Sequence, residues 1–268
     1  MKIYILSNDE AKEGFESEFG LSLFIEGKEK LLFDTGASDV FKKNAEKFKL
    51  KIDAVKTIVA SHGHADHNSG LGVFEDAEPK KRVIGHPKMF LKRYLRREDA
   101  YIGLPITKLE ADDSFELDLH TEPFQINDSM VFLGEIPRKN DFEGKRTNFS
   151  FFSNDRLVAD FTPDDSALAI KTSKGLVVVT GCSHSGICNI LEYAKQVTGE
   201  KKVLAVIGGF HMLETHDSSL NKTVNYLKDN GIERIIPLHC IDAAALKRLG
   251  EDLNIEKHVA GDVIEFED

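Results

Sequence analysis

The segment Thr57-Ile58-Val59-Ala60-Ser61-His62-Gly63-His64-Ala65-Asp66-His67 decides how this chain is read. Its first four residues are apolar or β-branched and predict a strand, while its last six hold three imidazoles and a carboxylate. Neutral imidazole and carboxylate are ligands for zinc, iron and manganese, and a strand that stops here leaves the next loop free to curl around an ion. Packing alone is a poor account of the cluster, because each of these side chains would need partners to offset its desolvation. Alternate residues of an extended segment project the same way, so His62 and His64 share a side, and Asp66 and His67 lie beyond the turn into a helix.

The flanking segments read as alternating strands and helices. Lys2–Leu6, Leu21–Ile25 and Lys30–Phe33 are expected strands, the last two joined by the turn Glu26-Gly27-Lys28-Glu29, and Phe33-Asp34-Thr35-Gly36 ends the hairpin. A polar helix is expected around Asp39–Phe48. Later, Gly175–Thr180, Val203–Ile207 and Arg234–Leu238 are apolar strands, with helices at about Ile187–Val197, Ser219–Asp229 and Ala243–Leu249 between or after them. Each late strand runs into a histidine: Thr180-Gly181-Cys182-Ser183-His184, Gly208-Gly209-Phe210-His211 and Leu238-His239-Cys240. Three of the ten histidines at strand ends point to convergence with the first cluster. The expected fold is α/β, with helices covering sheets and functional groups at the strand ends. Residues 86–150 are more polar and read as an insertion or cap on a single domain spanning 1–268. Within them Lys88–Arg97 predicts a basic amphipathic helix.

Composition bounds the function. With 45 acids against 35 bases, a net charge of −10 disfavours extended nucleic-acid contact but allows a small anionic or phosphorylated substrate. No apolar run approaches the roughly 18 residues of a membrane span, and the N-terminus turns polar too early for a signal peptide. Cys182, Cys188 and Cys240 form no Cys-X-X-Cys pair and no even disulfide framework, which fits a reducing compartment. A cytoplasmic protein without a membrane partner is expected. The sequence leaves its oligomeric state open.

His62-X-His64-X-Asp66-His67 resembles the signature of the metallo-β-lactamase superfamily at every defined position. The resemblance implies an αββα sandwich of two mixed sheets flanked by helices, and a metal-dependent hydrolase. It also implies that His62 and His64 bind one metal while Asp66 and His67 bind a second. Phe33–Gly36, Gly134–Arg138, Thr180–His184, Gly208–His211 and Leu238–Cys240 narrow the resemblance to a subgroup that includes dihydropterin ribofuranosylaminobenzene phosphate synthases. One departure stands out: many superfamily members carry a metal-bridging Asp after the strand-Thr-Gly step, and Cys182 occupies that place here. In one assignment His184 completes the site of His62 and His64, and His239 joins Asp66 and His67. In another, Cys182 is a thiolate ligand or Asp165 contributes a carboxylate; a buried, inert Cys182 competes equally.

The remaining candidates follow from the same resemblance. Asp34 is expected to orient the metal loop by hydrogen bonds, against the alternative of a turn carboxylate. His211 is a candidate ligand, proton donor or substrate contact, and Glu135 and Arg138 either orient a substrate or form an exposed ion pair. His86 is expected near the cleft; His120, His216 and His258 are expected as surface or local packing residues. Two divalent ions, zinc first and manganese or iron next, would make hydroxide available at neutral pH, with Asp66 orienting it and His211 assisting. The implied reaction is attack on an ester or phosphoester-type small molecule. Two other classes stay open: a synthase or transferase on a pterin-like or ribosyl-phosphate substrate, and a non-hydrolytic metal or redox binding protein suggested by Cys182.

Overall fold

The uninterrupted apolar runs form the interior strands. In Gly175–Thr180 and Val203–Gly208 every residue is buried, as expected of strands covered on both faces. The computed structural model describes residues 1–96, 100–154 and 156–267. They divide into two compact units: 1–121 with 148–160 and 259–267, and 122–147 with 161–258.

In the first unit, a seven-stranded sheet runs in the order Val263–Glu265, Lys2–Ser7, Ser22–Glu26, Lys30–Phe33, Thr57–Val59, Arg82–Gly85, Glu116–Leu119. Its first three pairings are antiparallel and its last three parallel. The helix Val40–Lys47 turns Val40, Phe41, Asn44 and Ala45 inward, and Phe41 and Ala45 join the core of Leu6, Leu32, Ile58 and Val83. A second, antiparallel sheet of this unit runs Arg156–Asp160, Phe149–Ser153, Arg93–Leu95, Ala100–Tyr101.

In the second unit the six-stranded order is Arg234–Pro237, Val203–Gly208, Gly175–Thr180, Ala167–Thr172, Met130–Phe132, Phe124–Asn127. Its first two pairings are parallel and the rest antiparallel. The helices Ile187–Thr198, Asp217–Asp229 and Ala243–Asp252 bury Ile190, Leu191, Val224, Leu227 and Leu249 against Val178, Val206 and Ile235. Each such side chain stabilises the unit by about 1.5–3 kcal/mol before entropy is charged against it.

The expected helix at Lys88–Arg97 is replaced by a 3₁₀ turn, Pro87–Phe90, followed by the strand Arg93–Leu95; Arg97 lies outside the described residues. Arg93 is fully buried and ion-paired with Asp160, and Tyr94 pairs with Ser150 and Tyr101 in the small sheet. Residues 86–150 contribute strands to all three sheets. Among the described residues no helix is long and apolar enough to cross a membrane.

Candidate metal centre

Both units place polar side chains just past the C-terminal ends of parallel strands, where open α/β sheets bind their ligands. In the first unit the strand Thr57–Val59 delivers Ser61, His62 and His64, and its neighbour Lys30–Phe33 delivers Asp34. Asp34 is fully buried in a left-handed backbone conformation, φ 56°, which is uncommon for a residue with a side chain. Its carboxylate accepts four hydrogen bonds. Oδ1 takes the Ser61 backbone N–H at 2.7 Å and Asn68 Nδ2 at 3.0 Å; Oδ2 takes Ser61 Oγ at 2.6 Å and His67 Nδ1 at 2.8 Å.

This network sets the imidazole tautomers. In its neutral, metal-binding form His67 donates from Nδ1, which leaves Nε2 as the lone-pair nitrogen, 3.8 Å from Asp66 Oδ2. Ser61 Oγ has one proton, committed to Asp34, so it accepts from His62 Nδ1 at 2.8 Å. His62 Nε2 therefore presents a lone pair, 3.1 Å from His64 Nδ1. That separation is close to the spacing of about 3.3 Å expected for two nitrogens bound to one tetrahedral ion. Three imidazoles, all nearly or fully buried, two of them with lone pairs set by a buried carboxylate, fit a divalent cation together with the half-buried Asp66.

In the second unit the parallel strands Gly175–Thr180, Val203–Gly208 and Arg234–Pro237 lead to Cys182 and His184, to His211, and to His239 and Cys240. Ligand atoms of Cys182, His184 and His211 lie within 4.8 Å of one another, and the rings of His184 and His211 are 4.3 Å apart, edge to face. Ser183, His211 and Cys240 all have positive φ, at 65°, 47° and 52°, so backbone strain concentrates where these loops crowd together. The crowding explains Gly209: a Cβ there would stand 2.3 Å from the Gly181 carbonyl oxygen and 2.8 Å from Cys240 Sγ. Cys240 Sγ accepts the His211 backbone N–H at 3.2 Å. Burial alone would push the Cys240 thiol up, but the hydrogen bond with Cys182 and the charges of His239 and His211 hold it well below the ordinary thiol range. Cys188 is the opposite case, a thiol pushed far up by burial, with the Glu143 carboxylate as a secondary cause.

Asp165 is fully buried on the loop before Ala167–Thr172, and its Oδ2 accepts the Ser185 backbone N–H at 2.8 Å. Burial raises its pKa against that hydrogen bond. Arg138 is tied by Nη2 to the carbonyl oxygens of Phe161 and Thr162, while Glu135 is exposed. His86 is buried after the strand Arg82–Gly85, and its Nδ1 accepts the Lys88 N–H at 3.1 Å. His120 sits 2.6 Å from Asp118, His258 3.3 Å from Glu256, and His216 against Arg146. Ser61 and Asn68 were not singled out from sequence, and their one signal was direct adjacency to the histidine cluster.

The model of the metallo-β-lactamase superfamily matches residues 18–237. The chain belongs to the metallo-β-lactamase superfamily. It is 31% identical, over 99% of its length and 97% of the relative's, to the 7,8-dihydropterin-6-methyl-4-(β-D-ribofuranosyl)-aminobenzene-5'-phosphate synthase of Methanocaldococcus jannaschii. A crystal structure of Tm1679, described as a metal-dependent hydrolase of the β-lactamase superfamily, covers 100% of both chains at 32% identity with a TM-score of 0.89. Zinc-bound PqqB from Methylobacterium extorquens, at 10% identity and a TM-score of 0.61 over 99% of this chain and 100% of its own, shares the fold. The α/β class and mixed sheets flanked by helices are therefore those of a metallo-β-lactamase superfamily member.

Proposed function

We propose that this superfamily member is a metal-dependent hydrolase of an ester or phosphoester-type small molecule. The observation that carries the proposal is the Asp34 network, which fixes the lone pairs of His62 and His67 and leaves two imidazole nitrogens at a chelating distance. In this assignment His62, His64 and His184 are ligands of one ion, and Asp66, His67 and His239 of a second, with zinc the first candidate and manganese or iron next. A divalent ion held there would supply Lewis acidity and lower the pKa of a bound water to about 7. The chain's own residues do the rest: Asp34 and Ser61 hold the rings, Asp66 orients the nucleophile, and His211 gives a proton to the leaving group or steadies its charge. Cys182, at the place of the family's bridging Asp, is a candidate thiolate ligand.

The likeness to the Methanocaldococcus synthase favours a second reading, in which the same residues serve a synthase or transferase acting on a pterin-like or ribosyl-phosphate substrate. Elemental analysis of the protein and of His64→Ala and His239→Ala tests the shared basis. Two ions per chain, with one or both lost in each variant, are expected for the binuclear assignment. No metal, unchanged by either substitution and not restored by added zinc, manganese or iron, overturns it. Turnover of simple esters or phosphodiesters by the loaded protein then favours the hydrolase; product only from paired pterin and ribosyl-phosphate substrates favours the synthase.

A further inference from the structure

Arg93 and Asp160 are both fully buried, and neither belongs to the ligand set. Arg93 Nε donates to Asp160 Oδ2 at 2.6 Å, Nη2 to the Lys88 carbonyl at 3.2 Å and Nη1 to the Met89 carbonyl at 3.5 Å. A buried ion pair contributes little net stability compared with well-packed apolar residues, so its place in the fold asks for another account. That place is against Gly63, between His62 and His64. A Cβ on Gly63 would lie 1.8 Å from the Met89 carbonyl oxygen and 2.6 Å from Arg93 Nη1, so the backbone of the histidine loop rests directly on the guanidinium and on a carbonyl that it binds. The main chain of Arg93 is tied to the same loop through Ile102: its carbonyl accepts the Ile102 N–H at 2.9 Å, and the Ile102 carbonyl accepts the Ala65 N–H at 2.9 Å.

We propose that the Arg93–Asp160 pair is a positioning element for the metal loop, in which the planar guanidinium, locked by Asp160, fixes Gly63 and so sets the spacing of the His62 and His64 nitrogens. Asp160 has a second task, balancing a positive charge that would otherwise oppose a cation close by. Lysine cannot substitute, because a point charge lacks the fork that holds Asp160 and two carbonyls at once. The inference rests on the metal-binding reading above.

Zinc affinity, measured by competition with a chromophoric chelator, tests it in the full chain, together with the visible absorption of the cobalt-loaded protein. The variants are Arg93→Lys and the charge-free pair Arg93→Met with Asp160→Leu, studied at a temperature where circular dichroism shows them folded. A loss of about 10- to 100-fold in zinc affinity with an altered cobalt spectrum is expected for both. A merely structural pair would lower the melting temperature and leave the affinity and spectrum of the folded protein alone. Zinc binding that His64→Ala weakens, but that both Arg93 variants retain at wild-type strength with the wild-type cobalt spectrum, overturns this inference alone. If the double variant does not fold, Arg93→Lys decides. Failure of the wild-type protein to take up zinc or cobalt overturns the functional reading, and this inference with it.

Discussion

At the residue scale, Asp34 carries more of the candidate centre than any single histidine, because four buried donors depend on one carboxylate. Replacing it by Asn keeps the shape but turns one acceptor oxygen into a donor. Either the Ser61 N–H and Asn68 or Ser61 Oγ and His67 then face an N–H₂ group, and the second arrangement releases the tautomers of His62 and His67. Asp34→Asn is expected to weaken zinc binding by about 10- to 100-fold, read by chelator competition. Asp34→Ala leaves the donors unmatched and is expected to cost at least about 2 kcal/mol of stability, read as a lowered urea midpoint. Unchanged affinity in Asp34→Asn would separate the network from the metal. The histidines and Asp34 were visible in the sequence because their residue types and spacing are rare. Ser61 and Asn68 were not, since a serine and an asparagine acquire a task only once the left-handed turn at Asp34 brings the carboxylate under the loop.

At the scale of elements, legibility followed the source of each element's stability. Lys30–Phe33 and Gly175–Thr180 have the bounds expected from their apolar runs, because buried strands are specified by their own hydrophobic sequence. Lys88–Arg97 misled because its outcome is set by distant partners: Asp160 for Arg93, and Ser150 and Tyr101 for Tyr94. The glycines at strand ends give a test of the crowding that the second unit tolerates. No positive φ is involved at Gly209, so a methyl group there acts through contact alone, against the Gly181 carbonyl oxygen and Cys240 Sγ. Gly209→Ala is expected to destabilise the protein by about 1–3 kcal/mol in urea unfolding. Gly199, at the end of the helix Ile187–Thr198, is the control, with φ 73° and nothing within 4 Å of a Cβ. Alanine there pays only the left-handed penalty, about 1 kcal/mol. Equal costs at the two sites would argue that the loops can part without difficulty.

At the scale of the whole molecule, several carboxylates, among them Glu26, Asp141, Asp252 and Glu256, sit below their ordinary range in the folded chain, so acid removes stability. Glu256 is the case with the clearest partner. The Arg234 guanidinium grips both its oxygens at 2.6 Å and holds its carboxyl below the usual glutamate value, assisted by His258. The pair clamps the segment after the last helix of the second unit to the strand Arg234–Pro237, and the Glu256 N–H also donates to the Ile235 carbonyl at 2.9 Å. The sign follows from proton binding: near pH 4 the unfolded glutamate, with a pKa of about 4.3, binds more protons than the folded one. The pair's contribution is therefore complete above pH 4.3 and disappears as the pH falls through the depressed folded value. Both side chains are about a quarter exposed, which keeps the contribution modest, about 0.5–1.5 kcal/mol. Glu256→Gln is expected to unfold earlier than the wild-type protein by that margin at pH 7 and together with it at pH 3, in paired thermal melts at constant ionic strength. A difference that persists at pH 3 would trace the loss to packing of the side chain instead of its charge.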